Sequence, residues 1–141
     1  MPQGAATLEN SLRTLRVIHG TLMLAIVGYV VILRVIPGNA SGPLTPQLLW
    51  GIAGVAVLEV VVALLFRMKK LGPVLEALRS RPDDVAALAQ WRQAVIISDA
   101  LALSVVLYGL VLHLLGSADR QAIPFFVAGG ALMIFWWPGR P

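Results

Sequence analysis

Four long apolar stretches dominate the sequence and leave little room for a fold outside a membrane. They cover approximately residues 17–36, 48–66, 94–115 and 122–138, the last being marginal in length. A transmembrane helix needs about 20 mainly apolar residues to cross roughly 30 Å of hydrocarbon. Hydrophobic residues make up 58% of the chain and charged residues 13%, whereas soluble domains carry about 25% charged residues. The sequence therefore predicts an all-α integral membrane four-helix bundle that forms one domain over residues 1–141.

Basic residues are unevenly distributed among the predicted loops. Residues 67–93 contain six of the 11 Lys and Arg residues, whereas residues 37–47 contain none. The positive-inside bias places the loop 67–93 and both termini in the cytoplasm. We therefore expect a multi-pass protein of a bacterial inner membrane, in contact with the lipid bilayer. Nucleic acid is not an expected partner, because no soluble basic domain is present.

The cytoplasmic loop 67–93 also contains helical signals. Apolar residues at positions 71, 74, 75 and 78 predict a short amphipathic helix lying on the membrane surface. Pro82 should end this helix, and Asp83 or Asp84 should cap a new helix that continues into the third span. We interpret the segment as an interfacial elbow between two hairpins; the alternative is a docking site for a soluble partner.

The two halves of the chain resemble each other. A shift of 79 residues aligns 13–36 with 92–115 and matches an Arg and a Tyr that are 16 residues apart in both copies. A shift of 75 places "AGVAVLEV" of the second span over "AGGALMIF" of the fourth. The matches reflect either chance similarity of apolar sequence or a duplicated hairpin. A duplication would be a parallel internal repeat, unlike the inverted repeats of many alternating-access transporters.

The same alignment suggests where helices approach each other. It pairs Thr21 and Ala25 with Ala100 and Ser104, and small residues four apart permit close helix contact in lipid. We therefore predict close helix packing at these four positions.

Several polar residues fall inside the predicted spans. At 1.5 Å per helical residue, Glu59 lies about 12 Å and Asp99 about 10 Å from the basic residues that flank the loop 67–93. Ser98 is next to Asp99, and His19 and Arg16 occupy the same half of the membrane. A charged carboxylate at membrane depth costs about 2.5 kcal/mol or more, so we predict that these five residues form one polar cluster. Its role would be to fix helix register, to handle ions or protons, or to bind a lipid or another small ligand.

Sequence signals for cofactors or catalysis are lacking. The chain has no Cys and none of the common metalloprotease, P-loop, hydrolase or dinucleotide motifs. His19 and His113 are expected near opposite sides of the membrane, so they could ligate one haem only between chains. We predict no metal, no cofactor and no enzymatic activity.

Two of the predicted helices resemble the carboxylate-bearing helix of rotary-ATPase proteolipids (c subunits). "ALALSVVLYGLVL", residues 100–112, has the small-residue stretch and the aromatic-Gly-Leu run of that helix, and "AVLEVVVALLF", residues 56–66, keeps a carboxylate as Glu59. The resemblance implies that Glu59 is an ion-carrying residue. The third span departs from it, since Leu103 stands where the proteolipid acid would be. The chain as a whole is similar to uncharacterised bacterial four-helix membrane proteins, a resemblance that implies no activity.

Two functions follow as expectations. The first is a non-enzymatic accessory or assembly subunit whose helices pack with a membrane-protein partner or with further copies of the chain. The alternative is a proteolipid-like proton- or ion-handling subunit in which Glu59 titrates.

Overall fold

The computed structural model describes residues 3–36 and 45–138 of the chain. The described residues form four helices: α1 (Gln3–Val35), α2 (Pro46–Ser80), α3 (Val85–Leu114) and α4 (Asp119–Phe135). No strand occurs within these ranges, and the helices confirm the predicted all-α bundle. Residues 37–44, within the uncharged connection, lie outside the described part of the chain.

Three of the helices are long and apolar enough to cross a membrane. They are Leu8–Val35 within α1, together with α2 and α3. The fourth helix, α4, has 17 residues and would reach about 25 Å at 1.5 Å per residue, close to the lower limit for a span. These helices indicate a membrane protein.

Helix α3 is the centre of the bundle. It packs against α1, α2 and α4, and α1 also contacts α4. Half of the most apolar segment of α3 is buried (50%), compared with 11% for the corresponding segments of α1 and α2. The two outer helices therefore expose most of their apolar surface. The two predicted hairpins also pack differently, because α4 packs closely against α3 whereas α1 and α2 each make their main helix contact with α3.

Two glycines allow α3 and α4 to approach closely. A Cβ atom on Gly129 would lie 2.7 Å from the carbonyl oxygen of Ala102, and one on Gly109 would lie 2.9 Å from that of Ala122. Both distances are too short for real Cβ contacts. The helices α3 and α4 can therefore approach this closely only because positions 109 and 129 are glycines, which have no Cβ atom.

This close contact is not at the small residues that the internal alignment suggested. Thr21 and Ala100 are exposed, and Ala25 is only half-buried. Ser104 contacts α2 through a hydrogen bond. Thr21 and Ala100 therefore do not form a close helix seam within the described part of the chain, and close packing at these positions stays a prediction. Residue spacing shows which positions share a helix face, but not which face turns toward a neighbour.

The predicted surface helix is continuous with α2. The helix runs unbroken to Ser80, so the turns at positions 71–78 belong to it. Leu71, Val74 and Leu78 are buried, and they pack with the amino-terminal part of α1 and the first turns of α3. The apolar side of this segment is thus covered by protein rather than lying on the membrane surface.

The start of α3 agrees with the sequence. Asp84 Oδ1 accepts hydrogen bonds from the backbone N–H groups of Ala86 (2.9 Å) and Ala87 (3.0 Å). Asp84 is therefore the N-cap, and the helix that it begins continues to Leu114, as predicted. We call the end of the bundle that contains residues 81–84 the basic end; the amino-terminal part of α1 and the carboxyl-terminal end of α4 lie there too.

Candidate functional site

A buried hydrogen bond between His19 and Asp99 joins α1 to α3. His19 Nδ1 lies 2.9 Å from Asp99 Oδ2, and the two side chains are 0% and 1% exposed. A carboxylate oxygen accepts hydrogen bonds, so the ring nitrogen that faces it carries the hydrogen. His19 Nδ1–H therefore donates to Asp99, and this bond fixes the rotation of α1 relative to α3.

Helix α2 and the residues just beyond α4 also contribute to the surroundings of this pair. The edge of the Trp137 ring, just beyond α4, meets the His19 imidazole at 5.1 Å between centroids and an interplanar angle of 81°. Arg67 of α2 lies 5.1 Å from the ring centroid of Trp136, and its charge interacts with Asp99. We call His19, Arg67 and Asp99 the polar junction.

The polar junction has hydrogen-bonding groups that its own contacts do not use. His19 Nε2, Arg67 Nη1 and Asp99 Oδ1 are buried and have no hydrogen-bond partner among the described residues. Most buried polar atoms in proteins do have partners. The junction is therefore held by one direct bond, the His19–Asp99 bond, supplemented by charge and aromatic contacts.

A second intramembrane pair joins α2 to α3. Glu59 Oε1 and Ser104 Oγ are hydrogen-bonded, and Tyr108, one turn further along α3, lies beside Glu59. The Ser104 oxygen is also 2.8 Å from the carbonyl oxygen of Leu101. A hydroxyl has one hydrogen to donate. Ser104 Oγ–H donates to Glu59 Oε1, and the Leu101 carbonyl is a second acceptor within reach of the same hydrogen.

The two carboxyl groups lie on different sides of α3. Asp99 and Ser104, the partner of Glu59, are five residues apart on that helix, which corresponds to about 140° of rotation and about 7.5 Å of rise. The hydrogen bonds thus divide the predicted polar cluster into two pairs. The depth estimate treated Arg67 as a marker of the membrane boundary, whereas its side chain lies in the polar junction.

The other two residues of the predicted cluster make separate contacts. Ser98 is buried, and its hydroxyl donates to the carbonyl of Ala94 at 2.8 Å. Arg16 is exposed, and its Nε donates to the carbonyl of Pro138 at 3.4 Å. The first contact stays within α3, and the second joins α1 to the residues after α4.

His113 makes a polar contact at the opposite end of the bundle. Its Nε2 lies 3.0 Å from the carbonyl oxygen of Ile36, and its Nδ1 lies 3.2 Å from Asp119 Oδ1. Nε2–H donates to the Ile36 carbonyl, whereas Nδ1 approaches Asp119 without forming a hydrogen bond. Sequence reasoning missed these contacts because they depend on how the ends of α1 and α4 meet α3.

The geometry also bears on metals and haem. His113 lies 14 residues beyond Asp99, the partner of His19, or about 21 Å along α3, so the two histidines cannot share one iron within a chain. The described residues include no group of three or more His, Cys, Asp or Glu side chains placed to hold a metal ion.

Comparisons with protein-family models, with curated proteins and with solved structures found no match for this chain.

Proposed function

We propose that this protein is a non-enzymatic membrane subunit that assembles with other transmembrane helices through α2. The observation that carries the proposal is the one-sided attachment of α2, which makes its main helix contact with α3 and leaves the rest of its surface open. The two intramembrane polar pairs would hold the subunit together during assembly.

The open side of α2 is apolar. Several large side chains on it are between 41% and 65% exposed: Val55, Val57, Leu58, Val61, Val62, Leu64 and Leu65. In a membrane this surface faces either lipid or another helix. Its extent supports contact with a partner but does not by itself identify one.

A groove between α2 and α4 favours the interpretation that the partner is a transmembrane helix. It has a volume of about 430 Å³ and an entirely apolar lining, with Val105 of α3 at its floor. Ala53 and Ala56 of α2 and Ala128 of α4 line its walls. Small residues let helix backbones approach closely in lipid, where packing drives association.

Groove-filling substitutions test this proposal. The protein is purified from its native membranes in mild detergent, and its mass and stoichiometric partners are measured. We expect a defined complex that is lost in Ala53→Leu and Ala128→Leu. Val27→Leu enlarges an exposed residue of α1, outside the groove and the open side of α2, and should leave the complex intact. A protein that is monomeric and without a stoichiometric partner would contradict the assembly role.

The alternative is proton or ion handling at Glu59. The observation that favours it is the position of the Glu59 carboxyl group between Ser104 and Tyr108, with Oε2 buried and without a hydrogen-bond partner among the described residues. Glu59→Gln separates the two functions, because the amide oxygen can still accept the hydrogen bond from Ser104 whereas the side chain can no longer carry a proton or a charge. Loss of assembly with unchanged proton flux in vesicles supports the assembly subunit. Retained assembly with lost flux and lost carbodiimide labelling supports ion handling.

We also propose that the basic end faces the cytoplasm of a bacterial inner membrane. The distribution of Lys and Arg supports this orientation. Because the chain has no Cys, the orientation can be measured with single cysteines introduced at chosen positions. Ala118→Cys, at the opposite end, should react with an impermeant maleimide in intact cells, whereas Ser80→Cys should react only after permeabilisation. The reverse pattern would overturn the orientation.

A further inference from the structure

A groove at the basic end runs along the outer side of α1. It has a volume of about 570 Å³, and its lining includes Glu9, Arg13 and Arg16 of α1 and Pro82 of the α2–α3 connection. Leu12 and Val17 add apolar surface. The groove therefore combines charged and apolar walls at the level where α1 passes from polar to apolar sequence.

The charged residues of this groove share one face of α1. Glu9, Arg13 and Arg16 are spaced by four and three residues, which makes successive members neighbours on a helix. All three are exposed. Within the described residues, neither Arg forms an ion pair with a carboxylate. Both guanidinium groups therefore remain able to bind an anion from outside the described chain.

The position of Arg16 is restrained. Its Nε donates to the carbonyl of Pro138, which holds the guanidinium beside the end of α4 while its terminal amino groups remain available. Guanidinium groups bind phosphate through parallel hydrogen bonds that match its oxygens. Arg13 lies one turn away, so the two side chains can converge on one phosphate.

The order of groups along α1 matches that of an aminophospholipid. Starting from the apolar part of the helix, it runs from Val17 through Arg16 and Arg13 to Glu9. A phosphatidylethanolamine molecule presents, in the same direction, acyl chains, an anionic phosphate and a terminal ammonium group. We propose that this groove binds phosphatidylethanolamine, with the phosphate on the two arginines and the ammonium on Glu9.

The position of Glu9 distinguishes this ligand from other phospholipids. An uncharged or anionic headgroup would bring no cation to the carboxylate, and a trimethylammonium headgroup has no N–H to donate to it. Glu9 therefore favours an ethanolamine headgroup over glycerol or choline. This lipid site does not depend on the assembly role proposed above.

Lipid binding to the delipidated full-length protein tests the proposal. Binding of phosphatidylethanolamine, phosphatidylglycerol and phosphatidylcholine with identical acyl chains is measured in detergent by native mass spectrometry. We expect phosphatidylethanolamine to bind most tightly. A basic residue near a lipid phosphate contributes about fivefold in affinity, so the double variant Arg13→Gln/Arg16→Gln should bind it about 30-fold more weakly.

Two further variants complete the experiment. Lys69→Gln/Arg92→Gln removes the same charge from exposed positions outside the groove and should leave binding unchanged. Glu9→Gln should weaken phosphatidylethanolamine binding, strengthen phosphatidylglycerol binding and so reverse the preference. Equal binding of the three lipids, an unaffected arginine double variant, or an unaltered preference in Glu9→Gln would each overturn the proposal. Displacement of the lipid by millimolar inorganic phosphate would also overturn it, since the apolar walls would then contribute nothing.

Discussion

Replacing Gly129 with Ala should separate α4 from α3. The new Cβ would lie 2.7 Å from the Ala102 carbonyl oxygen and also against Val106 Cγ2. Reaching an ordinary contact of 3.4 Å from that oxygen requires about 0.7 Å of additional separation. The oxygen belongs to the backbone of α3 and cannot move alone, so the whole helix seam must shift.

The expected cost follows from overpacking of a closely packed seam. Extra atoms forced into well-packed contacts typically destabilise a protein by about 1–3 kcal/mol, and the buried Met133 on the same seam would lose contacts as α4 moves. Gly130→Ala is the matched control, because nothing lies within 4 Å of the Cβ that it adds. Ala favours a helix over Gly by about 1 kcal/mol, so this control should be unchanged or slightly stabilised.

Unfolding of the two variants in mixed micelles measures this difference. The tryptophan fluorescence or circular dichroism of each is followed against the fraction of denaturing detergent. Because the gain in helix propensity applies to both variants, we expect their free energies of unfolding to differ by about 1–3 kcal/mol, with Gly129→Ala the less stable. Equal stability of the two variants would show that α4 does not approach α3 as closely as described.

Two further substitutions test local contacts. Asp84→Ala should lower the free energy of unfolding by about 0.5–2 kcal/mol because it removes the N-cap of α3, while Asp83→Ala should have little effect; similar losses for both would refute the assignment of the cap. His113→Phe keeps a ring of similar shape but removes the contacts with Ile36 and Asp119, and it should cost about 0.5–1.5 kcal/mol because the hydrogen bond to the carbonyl just after α1 is lost. A stability equal to that of the unmodified protein would show that His113 does not hold the two helix ends together.

Features with local sequence signals were predictable. The four helices follow from the lengths of the apolar runs, and Asp84 could be proposed as a cap because Pro82 and two acidic residues precede a long helical segment. The sequence did not show that α2 continues to Ser80, because the basic residues at 67–70 resemble the end of a span. That extension depends on Leu71 and Val74 packing against α1 and α3, which is tertiary information.

The candidate site was only partly predictable for a related reason. Depth along a helix can be counted from the sequence, and it placed Glu59, Asp99 and His19 in the same half of the membrane. Rotation about the helix axis cannot be counted without knowing which faces are buried. The division into a His19–Asp99 pair and a Glu59–Ser104 pair depends on that rotation. Hydrophobic periodicity gives little help, because nearly every face of a membrane helix is apolar.

Double-mutant cycles test the central claim that the intramembrane polar residues act as two separate pairs joining outer helices to α3. Free energies of unfolding are measured for alanine substitutions of His19, Asp99, Glu59 and Ser104, alone and in pairs. Side-chain hydrogen bonds in membrane proteins show coupling energies of about 0.6 kcal/mol on average and about 1.7 at most. We expect values toward the upper part of that range for His19 with Asp99 and for Glu59 with Ser104, and values within about 0.5 kcal/mol of zero for Glu59 with Asp99. Strong coupling between Glu59 and Asp99, or none between His19 and Asp99, would contradict this account.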